Sequence, residues 1–338
     1  MINISLMVLL IVAFILSFYG TINYRTYAIK NEILANLNFR TLHEKPTPRG
    51  GGIVFSLVFC LCILFLYYSG EIGLNILLVF GVGGAFAVII GYVDDLKGIS
   101  ALIKLCLQLL ITLWTLFWLD GGALNEFLFI NGWMAWIISA FLMVWLINAY
   151  NFIDGIDGLA ITGAILILST LVLTLIISNR FSHLSQMFLI LIASCSGFLF
   201  FNWPKASIFM GDSGSLFLGY IFSAFIIYST MNSEISLYTW LVVFGYYLAD
   251  TSLTTLIRLI TVKKWYHSHR SHAYQNLARI LNSHSKVTAG IAIYHLLWLL
   301  PLAILTIIKP NFSLLAVFLA FLPSTIWSIK FGPLFSKD

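Results

Sequence analysis

Charged residues are scarce in this sequence of 338 residues. Asp, Glu, Lys and Arg make up 9% of it, whereas hydrophobic residues make up 60%, and the mean hydropathy is +0.98. An ordinary soluble domain has about 25% charged residues, so a soluble globular protein is excluded. A chain this apolar must use lipid as its solvent. The composition therefore predicts a single all-α, polytopic membrane domain over residues 1–338.

Soft metal ligands are also scarce. The four cysteines all fall inside apolar runs, where we interpret them as packing residues without a disulfide or metal role. The sequence lacks an H-E-x-x-H helix, so a zinc site at the histidines of segment 263–279, among them His267 and His269, is a minor alternative. A solvated loop at the membrane surface is the stronger alternative for that segment.

Eleven apolar stretches approach the ~20 residues that a helix needs to cross a bilayer. They cover residues 2–21, 52–69, 73–92, 101–119, 133–150, 159–177, 186–201, 214–230, 237–260, 288–308 and 312–329. An odd number of spans places the two termini on opposite sides of the membrane. With the basic residues inside, the N-terminus lies outside and the C-terminus in the cytoplasm. All Lys and Arg except Arg180 and Lys309 then fall in or near cytoplasmic segments, which is the usual positive-inside asymmetry. Topology explains the net charge of +5, and no nucleic-acid partner is required.

Acidic residues number only thirteen, and five of them gather at predicted cytoplasmic helix ends. These five are Asp94, Asp95, Asp154, Asp157 and Asp212. Helix capping would explain Asp157 or Asp212 singly, but not five acids on one membrane face. Carboxylates without Cys or His partners favour Mg²⁺, with Mn²⁺ as the alternative, and Mg²⁺ is usually held by one or two carboxylates plus substrate phosphates. The five acids therefore predict a diphosphate site that faces the cytoplasm.

One further acid, Asp250, falls inside the ninth predicted span. A carboxylate at the bilayer centre costs about 2.5–3.5 kcal/mol on insertion scales. Asp250 must therefore face the protein interior or a wet cavity, and its position makes it a functional candidate.

Polar neighbours surround the five acids in sequence. The segment NAYNFIDGIDGL spaces Asn148, Asn151, Asp154 and Asp157 three residues apart, which makes them neighbours if the helix continues. The loop PTPRGGG at 46–52 offers backbone N–H groups and Arg49 to a phosphate, with a plain membrane-entry turn as the alternative.

Five motifs carry a family resemblance: PTPRGGG, GYVDDLKGISALIK, NAYNFIDGIDGLA, FMGDSGS and HRSHAYQNLA. In this order, each at a predicted cytoplasmic boundary, they resemble the polyprenyl-phosphate N-acetylhexosamine-1-phosphate transferases over roughly residues 40–280. The resemblance implies transfer of a sugar 1-phosphate from a UDP-N-acetylhexosamine to undecaprenyl phosphate, with Mg²⁺ and release of UMP. It also implies a place in the bacterial inner membrane, in O-antigen or related polysaccharide synthesis, and a homodimer is a further expectation. The active-site loops are expected near 22–51, 93–100, 148–158, 202–214 and 261–287.

The resemblance also implies roles for individual residues. Asp212 matches the Mg²⁺ ligand, and Asp94 and Asp95 match the paired catalytic aspartates. The residues expected to bind substrate are Arg49, Lys104, Asn148, Asn151, Asp154, Asp157, Arg270, His272, Tyr274 and Gln275. The acceptor phosphate has a second pKa near ~6 and is mostly a dianion at about pH 7. A general base is then not required, and direct attack is favoured over an aspartyl-phosphate intermediate.

The last motif departs from the family members that use UDP-GlcNAc, which carry H-x-H-H. Here the matching stretch is His272, Ala273, Tyr274 and Gln275, so only the first histidine is present. This form resembles the branch that transfers a 6-deoxy sugar such as FucNAc or QuiNAc. We expect Tyr274 to pack on the 6-methyl group, and a UDP-GlcNAc-specific member is the alternative.

Two other function classes compete with this interpretation. A carboxylate-driven transporter predicts acids through the whole bilayer depth, but only Asp250 is deep. The CDP-alcohol phosphatidyltransferases also carry spaced aspartates after D-G, but they expect an alanine and an arginine soon after it, and that pattern is absent.

Overall fold

The computed structural model describes residues 4–35, 46–119, 132–261 and 270–334. Within these ranges the chain is all-helical, apart from an isolated bridge between Leu34 and Pro48, which confirms the all-α prediction. The helices are α1 Ile4–Lys30, α2 Gly52–Tyr68, α3 Leu74–Lys97, α4 Ala101–Trp118, α5 Trp133–Asn151, α6 Leu159–Ile177, α7 His183–Asn202, α8 Asp212–Met231, α9 Leu237–Val243, α10 Gly245–Thr261, α11 Ala273–Ile280, α12 His284–Ile308 and α13 Pro310–Phe331. His267 and His269 lie outside the described residues.

Most of these helices have the dimensions of membrane spans. Among the described residues, nine are long and apolar enough to cross a bilayer, and α9 with α10, bent by 75°, would form a tenth. Helix α2 is also apolar but has only 17 residues. Each of the eleven predicted stretches thus coincides with a helix or with the bent pair. The protein is a multi-pass membrane protein, whereas the number of crossings and the side of each terminus stay predictions.

Helix α8 lies at the centre of the bundle. Every residue from 213 to 225 is buried, and the helix packs against α2, α3 and α5. Glycine allows this close packing: a Cβ atom on Gly91 would lie 2.1 Å from the carbonyl oxygen of Asp212, and one on Gly219 would lie 2.7 Å from the Cα atom of Ile147. Small residues let membrane helices approach each other closely. The N-terminal end of α8 is therefore enclosed by neighbouring helices.

Helix α5 ends at Asn151, so the predicted row of polar residues does not continue along one helix. The chain turns over residues 152–158, and Gly158 has φ +71° before α6 begins. A non-glycine residue rarely adopts that conformation. The repeated D-G pairs therefore make a tight turn, which moves Asp154 and Asp157 off the axis of α5.

Candidate active site

Two aspartates and one lysine meet at the polar end of the bundle. The Nζ atom of Lys104 lies 2.7 Å from Oδ2 of Asp212 and also pairs with Oδ2 of Asp94. Three helices supply these groups: Asp94 from the last turn of α3, Lys104 from the first turn of α4, and Asp212 as the first residue of α8. All three side chains are partly exposed. A ligand can therefore reach the ion cluster.

Asn151 holds the other oxygen of Asp212. Its Nδ2 atom donates to Oδ1 of Asp212 at 3.0 Å and lies 2.8 Å from Oγ of Ser215. Asp212 is thus held from two sides, by Lys104 from α4 and by Asn151 from α5. Its orientation is fixed before any ligand binds.

Asp95, by contrast, binds backbone. Its two oxygens accept from the N–H groups of Asp212 and Ser213, each at 3.0 Å, and the residue is only 5% exposed. Helix N-termini leave N–H groups without intrahelical partners, so Asp95 caps α8 from another helix. Gly211, with φ +73°, leaves room for this contact, because a Cβ atom there would lie 2.5 Å from a carboxylate oxygen of Asp95. These are the contacts of a positioning residue.

The PTPRGGG loop pairs with the segment before α8. The N–H groups of Gly51 and Gly52 donate to the carbonyls of Phe209 and Met210 at 3.0 and 2.8 Å, and Phe209 N–H donates to the Pro48 carbonyl at 2.8 Å. The expectation that this loop offers N–H groups to a phosphate is therefore wrong for Gly51 and Gly52.

Arg49, in the same loop, donates to the main-chain carbonyl of Asp95. The guanidinium of Arg49 thus contacts the residue that caps α8. Its expected contact with substrate stays a prediction.

Asp157 is also engaged with other parts of the protein. Its Oδ2 accepts from Ala206 N–H at 3.0 Å, its Oδ1 lies 3.3 Å from Nδ1 of His284, and its carbonyl accepts from Thr288 at 2.9 Å. The carboxylate of Asp157 does not cap the helix that follows it, because Gly158 precedes α6 without a side-chain cap. Asp157 therefore joins the 152–158 turn to the 202–210 segment and to α12.

Asp154 lies close to this cluster of acids. Burial, and the nearby charges of Asp212, Asp95 and Asp157, raise the pKa of Asp154 well above its usual value. In the described part of the chain, the ammonium of Lys104 contacts the carboxylates of Asp94 and Asp212. The donor set is hard oxygen and fits Mg²⁺ in type and charge. No three His, Cys, Asp or Glu side chains in the described ranges form a metal site by themselves.

The HRSHAYQNLA motif is anchored by Asp250. This carboxylate is 1% exposed, as its place in a span required, and its Oδ1 accepts from Ala273 N–H at 3.0 Å. His272, 2% exposed, stacks on Tyr274 with ring centroids 5.7 Å apart. Burial and the charge of Arg258 lower the pKa of His272 to about 3. His272 is therefore a neutral, buried anchor at the start of α11.

The rest of the motif packs on the 152–158 turn. Tyr274 is 1% exposed, and its hydroxyl donates to the Phe152 carbonyl. The expectation that Tyr274 packs on a sugar methyl is wrong, because protein already covers its ring. Gln275 is half-buried, and a Cβ atom on Gly155 would lie 2.3 Å from its Nε2. Gln275 and Arg270 are partly exposed, whereas Tyr274 is not.

Known proteins are similar to this chain. The model of glycosyl transferase family 4 matches residues 76–230. A relative from Bacillus subtilis (strain 168), named "Probable undecaprenyl-phosphate N-acetylglucosaminyl 1-phosphate transferase", is 30% identical over 82% of this chain and 80% of its own length. The chain belongs to glycosyl transferase family 4. It is an enzyme of the glycosyl-1-phosphate transferase type.

Two other relatives carry different names within the same chemistry. The decaprenyl-phosphate N-acetylglucosaminephosphotransferase of Mycolicibacterium smegmatis is 28% identical over 63% of this chain, which spans 57% of that relative's length. The phospho-N-acetylmuramoyl-pentapeptide-transferase of Prochlorococcus marinus is 29% identical over 75% of this chain and 71% of its own. The family-4 relatives thus differ in sugar and in lipid.

The family-4 match contains the whole ion cluster, whereas Arg49 and the 270–275 stretch lie outside it. Gln108 of α4 was not predicted from the sequence as part of this region, although it is 1% exposed and hydrogen-bonded to Asn148. An amide in an apolar span was the available signal, because such a group needs a partner.

Proposed function

We propose that this protein transfers an N-acetylhexosamine 1-phosphate from a UDP-sugar to undecaprenyl phosphate and releases UMP. The observation that carries the proposal is the cluster of Asp94, Lys104 and Asp212 at the N-terminus of the central helix. A cluster with more carboxylates than cations suits a divalent cation that arrives with a diphosphate. The B. subtilis relative is named for the undecaprenyl-phosphate acceptor. The basic-residue asymmetry supports a site on the cytoplasmic face of a bacterial inner membrane.

Asp212 and Asp94 would hold Mg²⁺, with Mn²⁺ as the alternative. Such an ion, when bound, neutralises charge that develops on the transferred phosphoryl group. Lys104 would then leave the carboxylates and bind a phosphate oxygen of the donor, since its ammonium and a metal ion compete for the same oxygens. Asn151 keeps Asp212 oriented meanwhile. The lipid phosphate, largely a dianion at about pH 7, attacks the β-phosphate of the UDP-sugar directly, and UMP leaves.

The donor sugar we propose is a 6-deoxy-N-acetylhexosamine such as FucNAc or QuiNAc, in O-antigen or related synthesis. The A-Y-Q stretch in place of further histidines supports it, and we assign selection of the sugar to Gln275, which lies beside Gly155 and is partly exposed. UDP-GlcNAc is the second candidate, because two of the relatives are named for N-acetylglucosamine.

The test is an incubation of purified protein with undecaprenyl phosphate, Mg²⁺ and a panel of UDP-sugars, scored by UMP release. Asp212→Asn is the matched negative control. We expect UMP with at least one 6-deoxy donor, faster than with UDP-GlcNAc by about tenfold or more in kcat/KM. Absence of UMP with every donor would overturn the transferase proposal, whereas equal use of UDP-GlcNAc would overturn only the sugar.

A further inference from the structure

A reciprocal amide pair lies one helical turn inside the ion cluster. The Nδ2 atom of Asn148 donates to Oε1 of Gln108 at 2.7 Å, and Nε2 of Gln108 lies 3.4 Å from Oδ1 of Asn148. Asn148 also donates to the Val144 carbonyl at 2.8 Å. Gln108 belongs to α4 and Asn148 to α5. The pair therefore joins the two helices.

The same two helices hold Asp212. Lys104 precedes Gln108 by four residues on α4, and Asn151 follows Asn148 by three on α5, so each lies on the same face as its amide neighbour. Lys104 binds one oxygen of Asp212 at 2.7 Å and Asn151 binds the other at 3.0 Å. The separation of α4 and α5 thus decides whether both oxygens can be held at once.

We infer, building on the proposed function, that Gln108 is a positioning residue for sugar-phosphate transfer. Its amide pair with Asn148 fixes the spacing of α4 and α5, so that Lys104 and Asn151 close on Asp212 from opposite sides. Hydrogen bonds give the pair a defined length, which apolar side chains in a membrane helix do not supply.

The test compares variants of purified protein at saturating substrates. Gln108→Leu and Asn148→Leu each remove the pair, and the double Leu variant keeps an apolar contact without hydrogen bonds. We expect each to lower kcat by about tenfold or more, because a misplacement of ~1 Å costs on the order of 10²-fold. The reciprocal variant, Gln108→Asn with Asn148→Gln, keeps both amides and the summed side-chain length. It should return kcat to within about threefold of the wild type.

Thr115→Val is the matched control. Thr115 is a buried residue of α4 that lies 2.7 Å from the hydroxyl of Tyr220, about 16 Å along the helix from Lys104. It should lose as much melting temperature as Gln108→Leu but keep kcat within about twofold.

Three results would overturn the positioning role: wild-type kcat in the Leu variants, a reciprocal variant no better than they are, or an equal loss in Thr115→Val. Wild-type turnover by Asp212→Asn would instead overturn the proposed site. It would leave the measured effect of the amide pair intact, so the two failures are distinguishable.

Discussion

Replacing Asp95 by asparagine separates a helix cap from a catalytic base. The carboxylate of Asp95 accepts two backbone N–H groups at the start of α8. An asparagine keeps one acceptor but turns an NH₂ group toward the second N–H. The loss is one hydrogen bond to a charged group, about 1.5–3 kcal/mol, plus the attraction of a negative charge to the helix N-terminus, about 0.3–1 kcal/mol. We therefore expect Asp95→Asn to destabilise the fold by about 2–4 kcal/mol.

Asp94→Asn is the comparison. Its Oδ1 accepts from Ile99 N–H at 2.7 Å, a bond that asparagine keeps, whereas the charge facing Lys104 is lost. Asp94→Asn should keep a melting temperature near that of the wild type but lose turnover. Asp95→Asn should lose both melting temperature and turnover. The assay is thermal unfolding in detergent, followed by initial rates of UMP release between pH 6 and pH 9.

The pH profile decides whether either aspartate is a base. Loss of a base that takes the acceptor proton would hurt most at low pH, where the lipid phosphate is a monoanion, and least near about pH 8–9. Replacing a cap or a metal ligand should instead lower the rate of UMP release by the same factor at every pH. An Asp95→Asn protein that melts like the wild type but fails mainly at low pH would refute the capping role.

Four further predictions follow from the site. Asp212→Asn should abolish UMP release while gel filtration shows an intact fold, and wild-type turnover would contradict the assignment. Lys104→Met should lower kcat, and added Mg²⁺ should raise its melting temperature more than that of the wild type, because Asp94 and Asp212 lose the ammonium that both contact; an equal rise would contradict this. Gly91→Ala should lose both stability and turnover, since its Cβ would lie 2.1 Å from the Asp212 carbonyl, whereas a wild-type melting curve would show that α3 can move away. The pKa of His272, lowered to about 3, is below its value of about 6.5 in the unfolded chain. The stability that neutral His272 contributes is therefore complete above about pH 6.5 and is lost as pH falls toward 3. His272→Gln should make the melting temperature depend less on pH between about 3 and about 6.5, and an unchanged pH dependence would contradict this.

The sequence predicted the helices well because apolar length is a local property. It also predicted that Asp94, Lys104 and Asp212 would meet, through motif order and the resemblance. It did not predict that Asp95 binds the backbone of α8, because two adjacent aspartates look alike in sequence. Their difference arises from helix geometry: neighbouring residues point about 100° apart around α3. The burial of Tyr274 was missed for a similar reason, since its hydroxyl binds the carbonyl of Phe152, which is far away in the chain.

Buried acids in this membrane bundle have two uses: some bind backbone N–H groups of other segments, and others are left to bind a cation. Asp95, Asp157 and Asp250 accept the N–H groups of Asp212, Ser213, Ala206 and Ala273, each in a segment remote in sequence. Such N–H groups are costly when buried without a partner, and a carboxylate from another helix satisfies them while joining two segments. Asp94 and Asp212 pair with Lys104 and remain for a cation, although Asp94 also accepts from the nearby Ile99 N–H. Asp154 accepts from the Gly211 N–H and belongs with the first group. Counting acids on one membrane face therefore overstates the catalytic set, and the hydrogen-bond partner of each carboxylate is what assigns its role.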